Sequence, residues 1–132
     1  MAEGTLSRTS GRTFTALPID SSRGFPQVFS VLFANRNYLF RLYVNVPASG
    51  INNKTLILDL PSANAFLIVT VELDLPDGTR QPIFLRKVVP GLEYETGSIA
   101  MTFPQQRVAV QNLNGQGEFG SQVTGGITLR WA

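Results

Sequence analysis

Apolar residues recur at every second position through much of this chain, the spacing that gathers them on one face of a β-strand. In YLFRLYVNV, Tyr38, Phe40, Leu42, Val44 and Val46 fall on one face. The other face carries Leu39, Arg41, Tyr43 and Asn45, so it is only half polar. Just upstream, VFSVLF groups Phe29, Val31 and Phe33, and the polar Ala34-Asn35-Arg36-Asn37 joins the two runs as a β-hairpin. A second hairpin is read from AFLIVTVELDL, with Leu67, Val69, Val71, Leu73 and Leu75 on one face and Ile68, Thr70, Glu72 and Asp74 opposite. Its turn is Pro76-Asp77-Gly78-Thr79, where proline presets φ and glycine accepts a positive one. The returning strand covers residues 83–89, and Pro82 places its start at an edge or a bulge.

The same alternation aligns Leu56, Leu58 and Leu60 in KTLILDL, and it marks SIAMTF, RVAVQN and ITLRW as later strands. Ile127, Leu129 and Trp131 share a face, so the indole is expected to be buried, because packing is what holds a terminal strand. Only residues 92–96 have room for a helical turn. The pattern therefore predicts an all-β fold, a single small antiparallel sandwich or barrel. Residues 25–132 form the β domain in this reading. Residues 1–24 differ in kind: they are rich in Ser, Thr and Arg, with Leu6, Phe14 and Leu17 as scattered apolar anchors. They are expected to form an extended N-terminal arm, disordered in the free chain. A neighbouring subunit would order it by offering pockets to Phe14 and Leu17 and acids to Arg8 and Arg12.

Composition narrows the function. Apolar residues make up 43% of the 132, enough for one core, while charged residues make up only 15%. About 25% is usual for soluble domains, so partners are expected to cover part of the surface. The net charge of +2 is too small to argue for nucleic acid. Without Cys or His, thiolate metal sites, disulfides and the commonest catalytic base are all excluded. The opening MAEGTLSRTSGR has no apolar stretch of the kind a signal peptide carries, and no apolar run approaches a membrane-spanning length. The sequon Asn53-Lys54-Thr55 is accordingly read as a chance match.

Candidate chemistry is thin. GQGEFG at residues 115–120 has the G-x-G-x-x-G spacing, but a dinucleotide loop needs a helix after it to receive the pyrophosphate. The twelve residues that follow Gly120 read as a strand. Residues 115–126 are thus expected to form a mobile glycine-rich loop without a ligand. Glu72 and Asp74 share a strand face, Glu93 and Glu95 flank Tyr94, and Asp59 lies opposite three leucines; each is read as a solvated acid. No catalytic, cofactor or metal residue is assigned. Leu39, Arg41 and Tyr43, with Arg36 nearby, could instead offer a basic and aromatic platform for single-stranded nucleic acid. They could equally be a face that neighbours cover.

The ordered series VFSVLFANRNYLFRLYVNV, LILDL, RQPIFLRKVVPGLEY, RVAVQNLNG and GGITLRW resembles the small plug proteins of phage tail baseplates, those of contractile-tailed phages. The resemblance rests on Tyr38, Phe40, Arg41, Leu42 and Asn45, then Leu58, Asp59 and Leu60. It continues through Val88, Val89, Gly91, Leu92 and Glu93 to Leu129 and Trp131. It covers roughly residues 25–131 and departs at the glycine loop, where a more acidic stretch is expected. It implies a virion structural protein that plugs or completes the distal end of the tail hub or tube, assembled in the host cytoplasm. Its partners would be hub, tube or spike subunits and further copies in a symmetric assembly. No enzyme activity or membrane is implied. The protein-interface residues of this reading are Arg8, Arg12, Phe14, Leu17, Leu39, Arg41 and Tyr43. The alternative is a single-strand nucleic-acid-binding β-barrel.

Overall fold

The computed structural model describes residues 5–7, 12–47, 56–62, 64–113 and 115–131. Within them the chain forms β1 (Thr5–Ser7), β2 (Thr13–Ala16), β3 (Gln27–Phe33), β4 (Arg36–Asn45) and β5 (Ile57–Asp59). There follow β6 (Phe66–Asp74), β7 (Arg80–Val88), β8 (Glu93–Thr96), β9 (Ile99–Ala109) and β10 (Gln122–Leu129). One sheet runs β3-β4-β6-β7; the other runs β1-β2-β10-β9-β5, with β8 also on β9. Every pairing between these strands is antiparallel, and among the described residues neither sheet closes into a barrel.

Both expected hairpins form. Ala34 and Asn35 hold positive φ (51° and 63°), a two-residue turn whose twist matches that of the strands it joins. The connection is therefore shorter than the four polar residues, and Arg36 and Asn37 already belong to β4. In the second turn the Asp77 carboxylate accepts from the Thr79 amide (2.9 Å) and hydroxyl (2.6 Å), and Gly78 takes φ +88°. Val71 lies opposite Phe84 but Glu72 opposite Pro82, so Ile83 is the extra residue of a bulge. Proline thus sits in an edge strand beside a bulge, as its missing N–H requires.

The inner faces meet in one core. Tyr38, Phe40, Leu42, Val69 and Val71 come from the four-stranded sheet, and Ile99, Met101, Phe103, Val108, Val123 and Ile127 from the other. Gly125 permits one close approach: a Cβ there would lie 2.9 Å from the Phe103 ring.

Four expectations change. Residues 93–96 form a strand rather than a helical turn, with Tyr94 turned inward between outward-facing acids. Period two holds there, and the Tyr94 hydroxyl accepts the Val89 amide at 2.8 Å. The short helical turns instead lie at Ser21–Arg23 and Val110–Asn112. Trp131 is 78% exposed: burial fades along its face from Ile127 (0%) through Leu129 (44%), because the strand runs out past the core.

The arm is also corrected. β2 pairs with β10 through Ala16 opposite Gly126 and Thr15 opposite Ile127, and β1 adds to its other side. Phe14 and Leu17 lie in this chain's own interior, at 0% and 5% exposure, rather than waiting for a neighbour's pockets. An edge of β10 facing water would leave backbone groups open to pairing, and β2 covers it. The β domain therefore begins before residue 25. Finally, Gly125 and Gly126 belong to β10, so the glycine loop ends at residue 121.

The corrected burial sets an expectation opposite to that from the sequence. Phe14→Ala should cost about 3–5 kcal/mol in urea denaturation. Trp131→Ala should change stability by no more than about 0.5 kcal/mol.

Candidate functional site

The outer face of the four-stranded sheet collects the largest group of exposed apolar side chains. Strand alternation and register bring Val28 and Leu32 of β3, Tyr43 of β4 and Leu85 of β7 to the face opposite the core. Their exposures are 57%, 76%, 39% and 66%. Ile68 lies between Tyr43 and Lys87 in register, and the Lys87 ammonium stands 4.0 Å over the Phe66 ring.

Leu39, Arg41 and Tyr43 do share this face, but they differ in availability. Leu39 is 8% exposed and so is mostly covered. Arg41 donates to Glu72 at 3.0 Å, a diagonal pair between neighbouring strands. Tyr43 and the Arg41 side chain are each about two-fifths exposed, so of the three only Leu39 is closed off. Leu85 lies on the solvent phase of β7, while Val28 and Leu32 escape a reading by alternation because VFSVLF is apolar in both phases. The outward phase of that run was the available signal.

The remaining predicted residues fall elsewhere. Arg8 lies outside the described residues, as does the sequon at Asn53-Lys54-Thr55. Arg12 is not waiting for acids from another subunit. Its guanidinium donates to Glu93 at 3.2 Å, to Glu95 at 2.6 Å and to the Arg130 carbonyl at 3.1 Å, and Arg130 adds a 3.4 Å contact to Glu95. This cluster fastens the segment before β2 across β8 and the end of β10. The hydrogen bond from Arg12 is the main reason the Glu95 carboxyl is held below its ordinary range.

The other acids are engaged one by one. Asp74 accepts from Asn37 (2.7 Å) and Arg80 (2.9 Å), which hold its carboxyl below the usual range, and Asp59 pairs with Arg107 at 2.9 Å. Glu72 and Asp74 therefore face separate cationic or amide partners rather than one shared site. Among the described residues no group of three acids could hold a metal ion.

GQGEFG is a tethered loop. Asn112, fully buried, donates to the Gly117 carbonyl (2.9 Å) and accepts from Ser121 (2.6 Å), while the Gly117 amide donates to the Ser22 carbonyl (2.8 Å). Gly24, at φ +83°, passes so close that a Cβ would collide with the Gly115 and Asn112 carbonyls. The hollow beside the loop is lined by Asp20 and Glu118, whose charges oppose a phosphate, and a strand follows.

No protein-family model, curated protein or solved structure matches this chain.

The Arg12 cluster makes stability depend on pH in a defined sense. Because the folded chain lowers the pKa of Glu95, its stabilisation is full above the ordinary glutamate range and is lost as pH falls through the folded value. Glu95→Gln should lower the melting temperature at pH 7, and its gap from wild type should close on acidification. A gap that persists in acid would assign the effect to packing instead.

Proposed function

We propose that this protein is a structural subunit of a phage virion, at the distal end of the tail baseplate, where it plugs or completes the hub or tube. The observation that carries this reading is the exposed apolar outer face around Val28, Leu32, Tyr43 and Leu85. Four exposed apolar side chains gathered on one sheet face, interspersed with Arg41, Thr70 and Ser30, suit a surface that other proteins cover. The resemblance to baseplate plug proteins over residues 25–131 supplies the identity of those partners: hub, tube or spike subunits. The chain would act by steric closure, through interfaces and without catalysis, in the virion and, before that, in the host cytoplasm.

The charge arrangement agrees with docking by shape. Arg41 and Arg80 are answered by Glu72 and Asp74, and Lys87 keeps its charge over the Phe66 ring, so the face carries only a modest positive field to steer a polyanion. The same arrangement weakens the nucleic-acid platform, since Leu39 is covered and Arg41 is neutralised.

Tail particles assembled with the full chain should contain it by mass spectrometry. The Leu85→Asp variant should keep the wild-type melting temperature while its incorporation falls at least about tenfold, the effect of about 1.4 kcal/mol at an interface. Particles that assemble and stay closed without the chain would overturn the proposal. So would tight oligonucleotide binding that collapses with salt, the signature of the nucleic-acid alternative.

A further inference from the structure

The described sheet edges are not equally protected. β1, β5 and β8 are only three or four residues long, too short to template much pairing. β7 is long, but it carries Arg80, Arg86 and Lys87, the Pro82 bulge, and a hydrogen bond from the Thr96 hydroxyl to the Ile83 carbonyl (2.6 Å). Charge, proline and a bulge are the devices that keep an edge from pairing. β3 has none of them. Its seven residues, QVFSVLF, contain no charge and no proline, and its register with β4 runs unbroken from Gln27 to Phe33. Among the described residues no strand pairs with its far side.

Hairpin geometry fixes which groups face outward. With two residues in the turn, Phe33 and Arg36 form the first hydrogen-bonded pair, and such pairs recur at every second position. The backbone groups of Gln27, Phe29, Val31 and Phe33 therefore point to β4, and those of Val28, Ser30 and Leu32 point to the open edge.

We infer that β3 pairs antiparallel with β3 of a second copy about a twofold axis at Ser30. Ser30 then faces Ser30 of the second copy, and Val28 faces Leu32 in both directions. Every outward donor on one strand meets an acceptor on the other, and the two four-stranded sheets become one of eight. Several features select a second copy over an extended strand of another kind. An uncharged strand pairs with itself without repulsion. The most exposed apolar side chain of the edge, Leu32 at 76%, lies beside Val28 of the other copy, itself 57% exposed. The fit is reciprocal, as an isologous interface demands. Phe29, Val31 and Phe33, only partly buried in the single chain, are covered on the inner face by the same pairing. This inference stands apart from the tail assignment, because it concerns the chain alone in solution.

The chain has no cysteine, so one introduced thiol reports without interference. In the paired state the two Ser30 Cα atoms sit about 5.5 Å apart, within reach of a short bifunctional maleimide. The two Leu85 positions lie seven strand spacings apart, about 34 Å. Ser30→Cys should therefore crosslink into a covalent dimer at least ten times faster than Leu85→Cys, a control that is also exposed and lies on the opposite edge strand. By sedimentation the wild-type chain should shift from monomer to dimer as concentration rises. Ser30→Lys, which sets two like charges on the axis, should remain monomeric with an unchanged melting temperature. The inference is wrong if the wild type stays monomeric, if Ser30→Lys dimerises as well as wild type, or if the two cysteine variants crosslink at the same rate.

Discussion

The backbone of β9 cannot be left unpaired inside the protein, and much of the six-stranded sheet is arranged around that requirement. Its first five residues, from Ile99 to Phe103, are all buried, so water cannot satisfy their amides and carbonyls. β10 covers one edge along most of its length. The other edge is divided: β8 pairs with residues 99–102 and β5 with residues 107–109. Between them lies Pro104, which has no amide to offer, and opposite it the register with β10 slips between Thr124 and Gly126. The gap is closed by single bonds. Leu60 donates to the Gln106 carbonyl at 2.8 Å, and the Gln106 side chain donates to the Phe103 carbonyl at 3.0 Å. A proline in a central strand is tolerated because two short strands meet beside it.

Period-two alternation made the long strands legible, since nine or ten residues offer several positions to test the phase. It located the inner faces of β4 and β6. β9 reads as two separate strands, SIAMTF and RVAVQN, because its phase shifts at Pro104. It was the proline rule that marked Pro82 as an edge or a bulge. Alternation failed where the element was short. TFTA offers one large apolar residue, so β2 reads as part of a polar arm, although Phe14 is fully buried. EYET offers one tyrosine between acids and fits a turn as readily as a strand. Trp131 failed for another reason: alternation assigns a face, but burial depends on how far the opposing sheet extends.

The candidate face was half legible for the same physical reason. Leu39, Arg41 and Tyr43 stand out because their partners on the other phase are plainly core. Val28 and Leu32 do not, because both phases of β3 are apolar. The partners of the charges were beyond reach, since Arg12 meets acids 81 and 83 positions away and Arg41 meets one 31 away. These contacts join separate strands and so favour one register over its neighbours. Arg12, Arg41, Arg80, Arg107 and Arg130 all meet acids of the same chain, so much of its scarce charge is engaged in internal pairs.

The pairing of β2 with β10 has a further meaning for the order in which the molecule is made. The four-stranded sheet is contiguous in the sequence, interrupted only by β5 and its flanking loops, so its hairpins can form from local contacts. β2 has no such option. Its partner on β10 lies more than a hundred positions later, and on a ribosome that partner emerges after the other described strands of both sheets. Phe14 must therefore travel as exposed apolar surface while the rest of the domain is built. A strand made before the four-stranded sheet finds its place only after that sheet is complete.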